Sequence, residues 1–239
     1  MNMQIMVVGN AEDAIRTIRH ALAASGVFVG ARGSHADGQG SSPRDDELDT
    51  LHARLRELND CQGLLRSDVI PFVPTAMRLE AARLVARRNA VYPAWALGGY
   101  DIAVFLDFWH SMLPGATYVC CLGHYASGVQ RAAADAAGDV CLDWCVRTAA
   151  LLTFLRKRRP PALVLHGDRL PSAPDLMSGL AKRAGVDLAE AADSPSPPDA
   201  EDALPLPPLD DSLRHQADRL WQAARQAIES SHAARTAES

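Results

Sequence analysis

No apolar run in this 239-residue chain approaches the ~20 residues needed to cross a bilayer. The opening MNMQIMVVGN also lacks the basic segment, long apolar stretch and small-residue cleavage site of a secretory signal. A cytoplasmic protein without a membrane span is therefore expected. Positive charge is in short supply as well. The 24 Lys and Arg against 29 Asp and Glu leave a net charge of -5, which gives no general attraction for phosphate backbones and argues against nucleic acid as a partner. Cysteines number only five, and in a reducing compartment they read as free thiols unless a metal holds them. Internal repeats, sustained heptads and a Gly-x-Ser-x-Gly elbow are all missing, so a solenoid, a coiled coil and a serine hydrolase of that type are disfavoured. What remains is 48% apolar and 22% charged, the composition of a chain that folds around one substantial core.

The pattern along the chain alternates strands and helices. Residues 3–9 form a short apolar run ending at Gly9, and Ala14, Ile15, Ile18, Leu22 and Ala23 then recur at helical spacing up to a Gly26 stop. Residues 30–43 read as an exposed Gly/Ser/Asp loop. Two helices are expected over 45–59 and 75–88, a break at Gly98-Gly99 after Trp95, and a buried helical stretch over 102–112. Residues 116–122 (ATYVCCL) and 162–166 have the length and composition of buried strands, with helices over 126–137 and 139–158 between them and another over 174–184. This order predicts an α/β fold, a central parallel sheet covered by helices on both faces. The expected divisions are an α/β domain over 1–190, an acidic Pro-rich linker over 191–211, an amphipathic helix over 212–232 and a flexible tail over 233–239. The stripe of Leu213, Ala217, Leu220, Trp221, Ala224 and Ile228 must dock, either on the same domain or on a protein partner.

Two constellations carry candidate chemistry. Cys121, His124, Cys141 and Cys145 have ligand-like spacing for zinc, although Cys120 and Cys121 alternate across a strand and Cys141 and Cys145 share an apolar helix face. Packing as small hydrophobes is the reading set against the metal site. His124 stands at the end of a central strand, where α/β sheets place their ligands, and is the candidate general base. His166-Gly167-Asp168 ends another strand and invites a catalytic reading, whereas His52 reads as a helix-surface histidine.

The strand, glycine, turn and helix at the N-terminus form a frame that can seat an anion on helix N–H groups. In the turn stand Gly9, Asn10, Ala11, Glu12, Asp13 and Ala14, followed by Ile15 and Arg16, and the two carboxylates oppose an anion. Trp95, Leu106, Phe108-Trp109, Leu113-Pro114 and Ala116, then Leu122-Gly123-His124, Trp144 and Leu165 to Leu170 follow at further intervals. In order and spacing this set resembles the bacterial sulfotransferase family, over about residues 3–190. The resemblance implies a P-loop-like α/β fold and transfer of a sulfuryl group from 3′-phosphoadenosine 5′-phosphosulfate to a hydroxyl or amine.

The departures fall on charge. Glu12, Asp13, Ala14 and Ile15 stand where the family has Arg-Ser-Gly-Thr, Gly98 to Asp101 where it has Lys-Asp-Pro-Arg, and Gly123 where it has the arginine of Leu-Arg-His-Pro. Each lost charge-assisted contact is worth roughly 1.5–3 kcal/mol. The resemblance thus implies a donor site at Gly9 to Ala14, Arg16, Gly123 and Arg131 that has lost its grip, and a non-catalytic binding or assembly protein with no cofactor. Arg16, Arg131 or Arg19 could restore the site, which leaves an active sulfotransferase as the alternative and a zinc protein as the second. The acceptor is not legible.

Overall fold

The structure is a computed structural model, and it describes residues 2–30, 45–59, 71–184 and 207–237. The expected loop at 30–43, most of the 191–211 linker and Cys61 lie outside these residues. Four parallel strands, β1 (Met3–Gly9), β2 (Ala94–Gly98), β3 (Thr117–Leu122) and β4 (Ala162–His166), pair in the order β2-β1-β3-β4. The helices are α1 (Glu12–Ala24), α2 (Asp46–Leu58), α3 (Thr75–Val91), α4 (Leu106–Met112), α5 (Tyr125–Val129), α6 (Ala137–Arg158), α7 (Ala173–Ala184) and α8 (Asp211–Ala237). None of the described helices is long and apolar enough to cross a membrane.

Strand alternation divides the core into two faces. Ile5, Val7, Ala96, Val119, Cys121, Leu163 and Leu165 meet α1 and α7, while Met6, Val8, Trp95, Leu97, Tyr118, Cys120 and Val164 meet α2, α3, α4, α6 and α8. A sheet covered on both faces needs strands that are apolar at every position, and all six residues of β3 are buried. Helix α1 ends as its sequence predicts. Gly26 takes φ +81°, a conformation that favours glycine, just beyond the last turn.

Four elements differ from the sequence expectation. β2 was not expected: Ala94 to Gly98, running up to the Gly98-Gly99 break, pairs in register with Met3 to Val7 and puts Trp95 and Ala96 on opposite faces. The 102–112 stretch is split into a 3-10 turn over Asp101–Phe105 and α4. The helix expected over 126–137 stops at Val129 and continues as turns, in which the Ala132 N–H donates to Val129 and the Ala136 N–H to Ala133. Finally α8 runs to Ala237, so residues 233–237, expected as a flexible tail, are helical.

Helix α8 lies along β4 and α6. Its Ser231 Oγ accepts from the Val164 N–H at 3.1 Å, which satisfies a donor on the outer edge of β4. His52 is not the surface residue its helix position suggested. It is buried beneath Trp109, whose indole N–H donates to its Nε2 at 2.9 Å, and burial pushes its pKa down to about 4.

Candidate functional site

The strand order changes direction between β1 and β3. Chain leaving β1 enters α1 on one face, and chain leaving β3 runs through α5 into α6 toward the other. A crevice opens at such a point beyond the strand C-termini. Here it is a cleft of ≈ 560 Å³ whose walls include Asn10 to Ala14, Arg16, Gly123, His124, Arg131 and Asp168. With the exception of Gly9, every residue the sequence singled out for the donor site lines it. Gly9 lies beneath, where a Cβ would come within 2.0 Å of the Cys121 carbonyl oxygen, so only glycine lets β1 and β3 approach this closely. The same reason applies at Gly167, where a Cβ would meet that of Ala11 at 2.4 Å.

Asn10 ties the floor together. Its Oδ1 accepts from the Gly123 N–H at 2.7 Å and its Nδ2 donates to Thr148 Oγ1 at 2.6 Å; Trp144 in turn donates from its indole N–H to the Gly123 carbonyl at 3.0 Å. Asn10 is therefore a structural knot joining the β1 loop, the β3 loop and α6. Substituting Asn10→Ala strands the Gly123 N–H in a buried place and should lower unfolding stability by about 2–3 kcal/mol, read as a fall in urea midpoint. A loss under 0.5 kcal/mol would refute that role.

The charges of the cleft are paired among themselves. Asp13, in the first turn of α1, forms ion pairs with both Arg16 and Arg131, the second across 118 residues of sequence. Glu12 adds a further carboxylate at the same helix end, and Ala11 supplies no side-chain cap there. Across the cleft Asp168 accepts from the His124 N–H at 3.0 Å and from Ser127 Oγ at 3.1 Å. Arg19 does not reach the cleft wall; its Nη2 donates to the Val29 carbonyl at 3.0 Å, and its chain lies over Gly98.

His124 is committed elsewhere. Its Nδ1 accepts from the Ala126 N–H at 3.1 Å as the cap of α5, so the neutral ring carries its proton on Nε2 and offers no lone pair to a substrate. Burial lowers its pKa against the opposing pull of Asp168 and Asp218. This geometry suits a cap better than a general base. The zinc set is not assembled either. Cys121 packs among Ile5, Val7 and Leu163, while Cys141 and Cys145 pack with Tyr125 and Trp144 on the other side of β3. No group of three possible metal ligands occurs among the described residues. Burial raises the Cys120 thiol to about 12 and Cys121 well above its ordinary value, as expected of packed thiols.

Ser127 and Tyr100 also line the cleft; sequence reasoning did not single out Ser127, and Tyr100 entered only within the Gly98 to Asp101 segment, with no role of its own. Asp168 was visible as part of His166-Gly167-Asp168 at a strand end, but its bonds to the α5 turn were not. No protein family, curated protein or solved structure matches this chain.

Proposed function

We propose that the chain is a non-catalytic binding or assembly protein on a sulfotransferase-like frame, whose switch-point cleft does not take 3′-phosphoadenosine 5′-phosphosulfate. The observation that carries this reading is the double ion pair of Asp13. The two arginines that could compensate for the missing family cations, Arg16 and Arg131, both lie at the cleft, and both face the same carboxylate. Glu12 stands beside it at a helix end that would otherwise attract an anion. Sulfuryl transfer needs positive charge around developing negative oxygens, and among the described residues the two arginines that line this cleft are both paired with Asp13. The bond that His124 Nδ1 accepts from the Ala126 N–H supports the same reading, since it occupies the lone pair a base would use.

The rival, an active sulfotransferase with a rearranged donor site, requires Asp13 to release both arginines to the ligand. Calorimetric titration with 3′-phosphoadenosine 5′-phosphate separates the two. The expected result is no saturable heat up to millimolar nucleotide. Micromolar binding that Arg131→Ala abolishes would establish the rival and end the non-catalytic reading.

A further inference from the structure

His124 and His166, at the ends of β3 and β4, repeat one local device. Each imidazole accepts, through Nδ1, the backbone N–H two residues on: Ala126 at 3.1 Å for His124, Asp168 at 3.2 Å for His166. Each ring also meets the Trp221 indole of α8 nearly edge to face, with centroids 5.0 Å apart for His124 and 5.3 Å for His166. The indole is thus held between two histidine caps. Besides Trp221, α8 seats on the buried Ala217 and Ala224 and the partly buried Leu213, Leu220, Ala227 and Ile228, with polar contacts that include Tyr125 to Asp218 and Val164 to Ser231.

From this geometry we infer that α8 is a proton-sensitive latch, seated on the cleft wall while His124 and His166 are neutral and released when they are protonated. A proton on Nδ1 turns the acceptor into a donor that points at another N–H, so each cap is lost on protonation. The groups facing His124 are Asp168 from the loop after β4, Asp218 from α8 and His166; those facing His166 are Asp168, Arg169 and, from α8, Arg225. Asp168 is the one carboxylate common to both. Its Oδ2 takes the His124 N–H and its Oδ1 takes Ser127, and Oδ2 lies 3.8 Å from His166 Nδ1, beyond hydrogen-bond distance. From α8 itself Arg225 opposes a charge on His166 while Asp218 favours one on His124, and burial outweighs the carboxylates to lower both pKa values from 6.5. Because the docked state holds the neutral forms, docking is complete above the unfolded value near 6.5 and weakens as pH falls below it. The inference is independent of whether the cleft binds a nucleotide.

Hydrogen exchange read by mass spectrometry between pH 7.5 and 5.0, corrected for intrinsic rates, tests it on the whole chain. Peptides from residues 211–232 should lose at least tenfold in protection over that range, while peptides from β3 hold theirs. The β3 control separates release of α8 from global unfolding, to which buried His52 contributes nearer pH 4. In His124→Asn/His166→Asn the side-chain oxygen can take the same N–H two residues on without titrating, so α8 protection should become independent of pH. Single His124→Asn, should the double variant fold poorly, should keep a shallower slope than the wild type. Constant α8 protection in the wild type, or an undiminished pH slope in either variant, would overturn the latch.

Discussion

Glu12→Gln/Asp13→Asn should create nucleotide binding where the native chain has none, with affinity for 3′-phosphoadenosine 5′-phosphate rising at least thirtyfold. The sign follows from the cleft charges. The double substitution removes two carboxylates from the N-terminal turn of α1 and leaves Arg16 and Arg131 without their shared partner. A unit charge roughly 5–6 Å from an anion contributes about 1.5–3 kcal/mol at effective dielectric constants between ~20 and ~40, less in salt. Half of one such interaction per carboxylate gives about 1.5–3 kcal/mol for the pair, a range centred on the roughly 2 kcal/mol that thirtyfold requires. Adding Arg131→Ala to that background should remove most of the gain, because the guanidinium and not mere loss of repulsion would then be holding the phosphate. A well-folded double variant that still gives no heat would mean that the acids are not what keeps the nucleotide out.

Asp45→Ala should be among the most damaging single changes to stability, at about 3–5 kcal/mol in urea unfolding. Asp45 and Arg88 form an ion pair at 2.6 Å with their side chains 4% and 5% exposed, and Asp45 Oδ1 also caps α2 through the Leu48 N–H. The guanidinium lies over Phe28 and Trp95, between β2 and the chain that follows α1. A guanidinium cannot shed its charge, so removing the carboxylate leaves a buried cation, with Arg19 also losing an attractive partner. Arg88→Met should cost less, since the methionine keeps the apolar sandwich filled and Asp45 keeps the Leu48 N–H that caps α2. A reversed ranking of the two variants would refute this account of the pair.

The parts of this molecule that could be read in the chain are those set by local periodicity. β1, β3 and β4 were visible because a strand buried on both faces is apolar at nearly every position, and α1 because its stripe ends at a glycine. β2 was not visible, because Ala-Trp-Ala-Leu-Gly is short, carries no β-branched residue and runs into Gly99; its strand character comes from pairing with β1. The alanine-rich stretch after Gly128 has strong helical propensity, yet the chain turns there, and Arg131 reaches Asp13 from that turn. The acids at the α1 terminus were legible from position alone. That one of them holds two arginines, that Asn10 bonds across 113 residues to Gly123, and that two histidines share one tryptophan are facts of tertiary proximity, which no spacing in the chain encodes.

The bond between Val164 and Ser231 has a consequence in time. Sixty-seven residues separate the donor from its acceptor, so at the usual ~5–20 residues per second roughly 3–13 seconds of synthesis pass before the outer border of the sheet can be covered. Throughout that interval the nascent molecule presents a raw strand margin to its neighbours on the polysome, and the arrival of the last helix closes it.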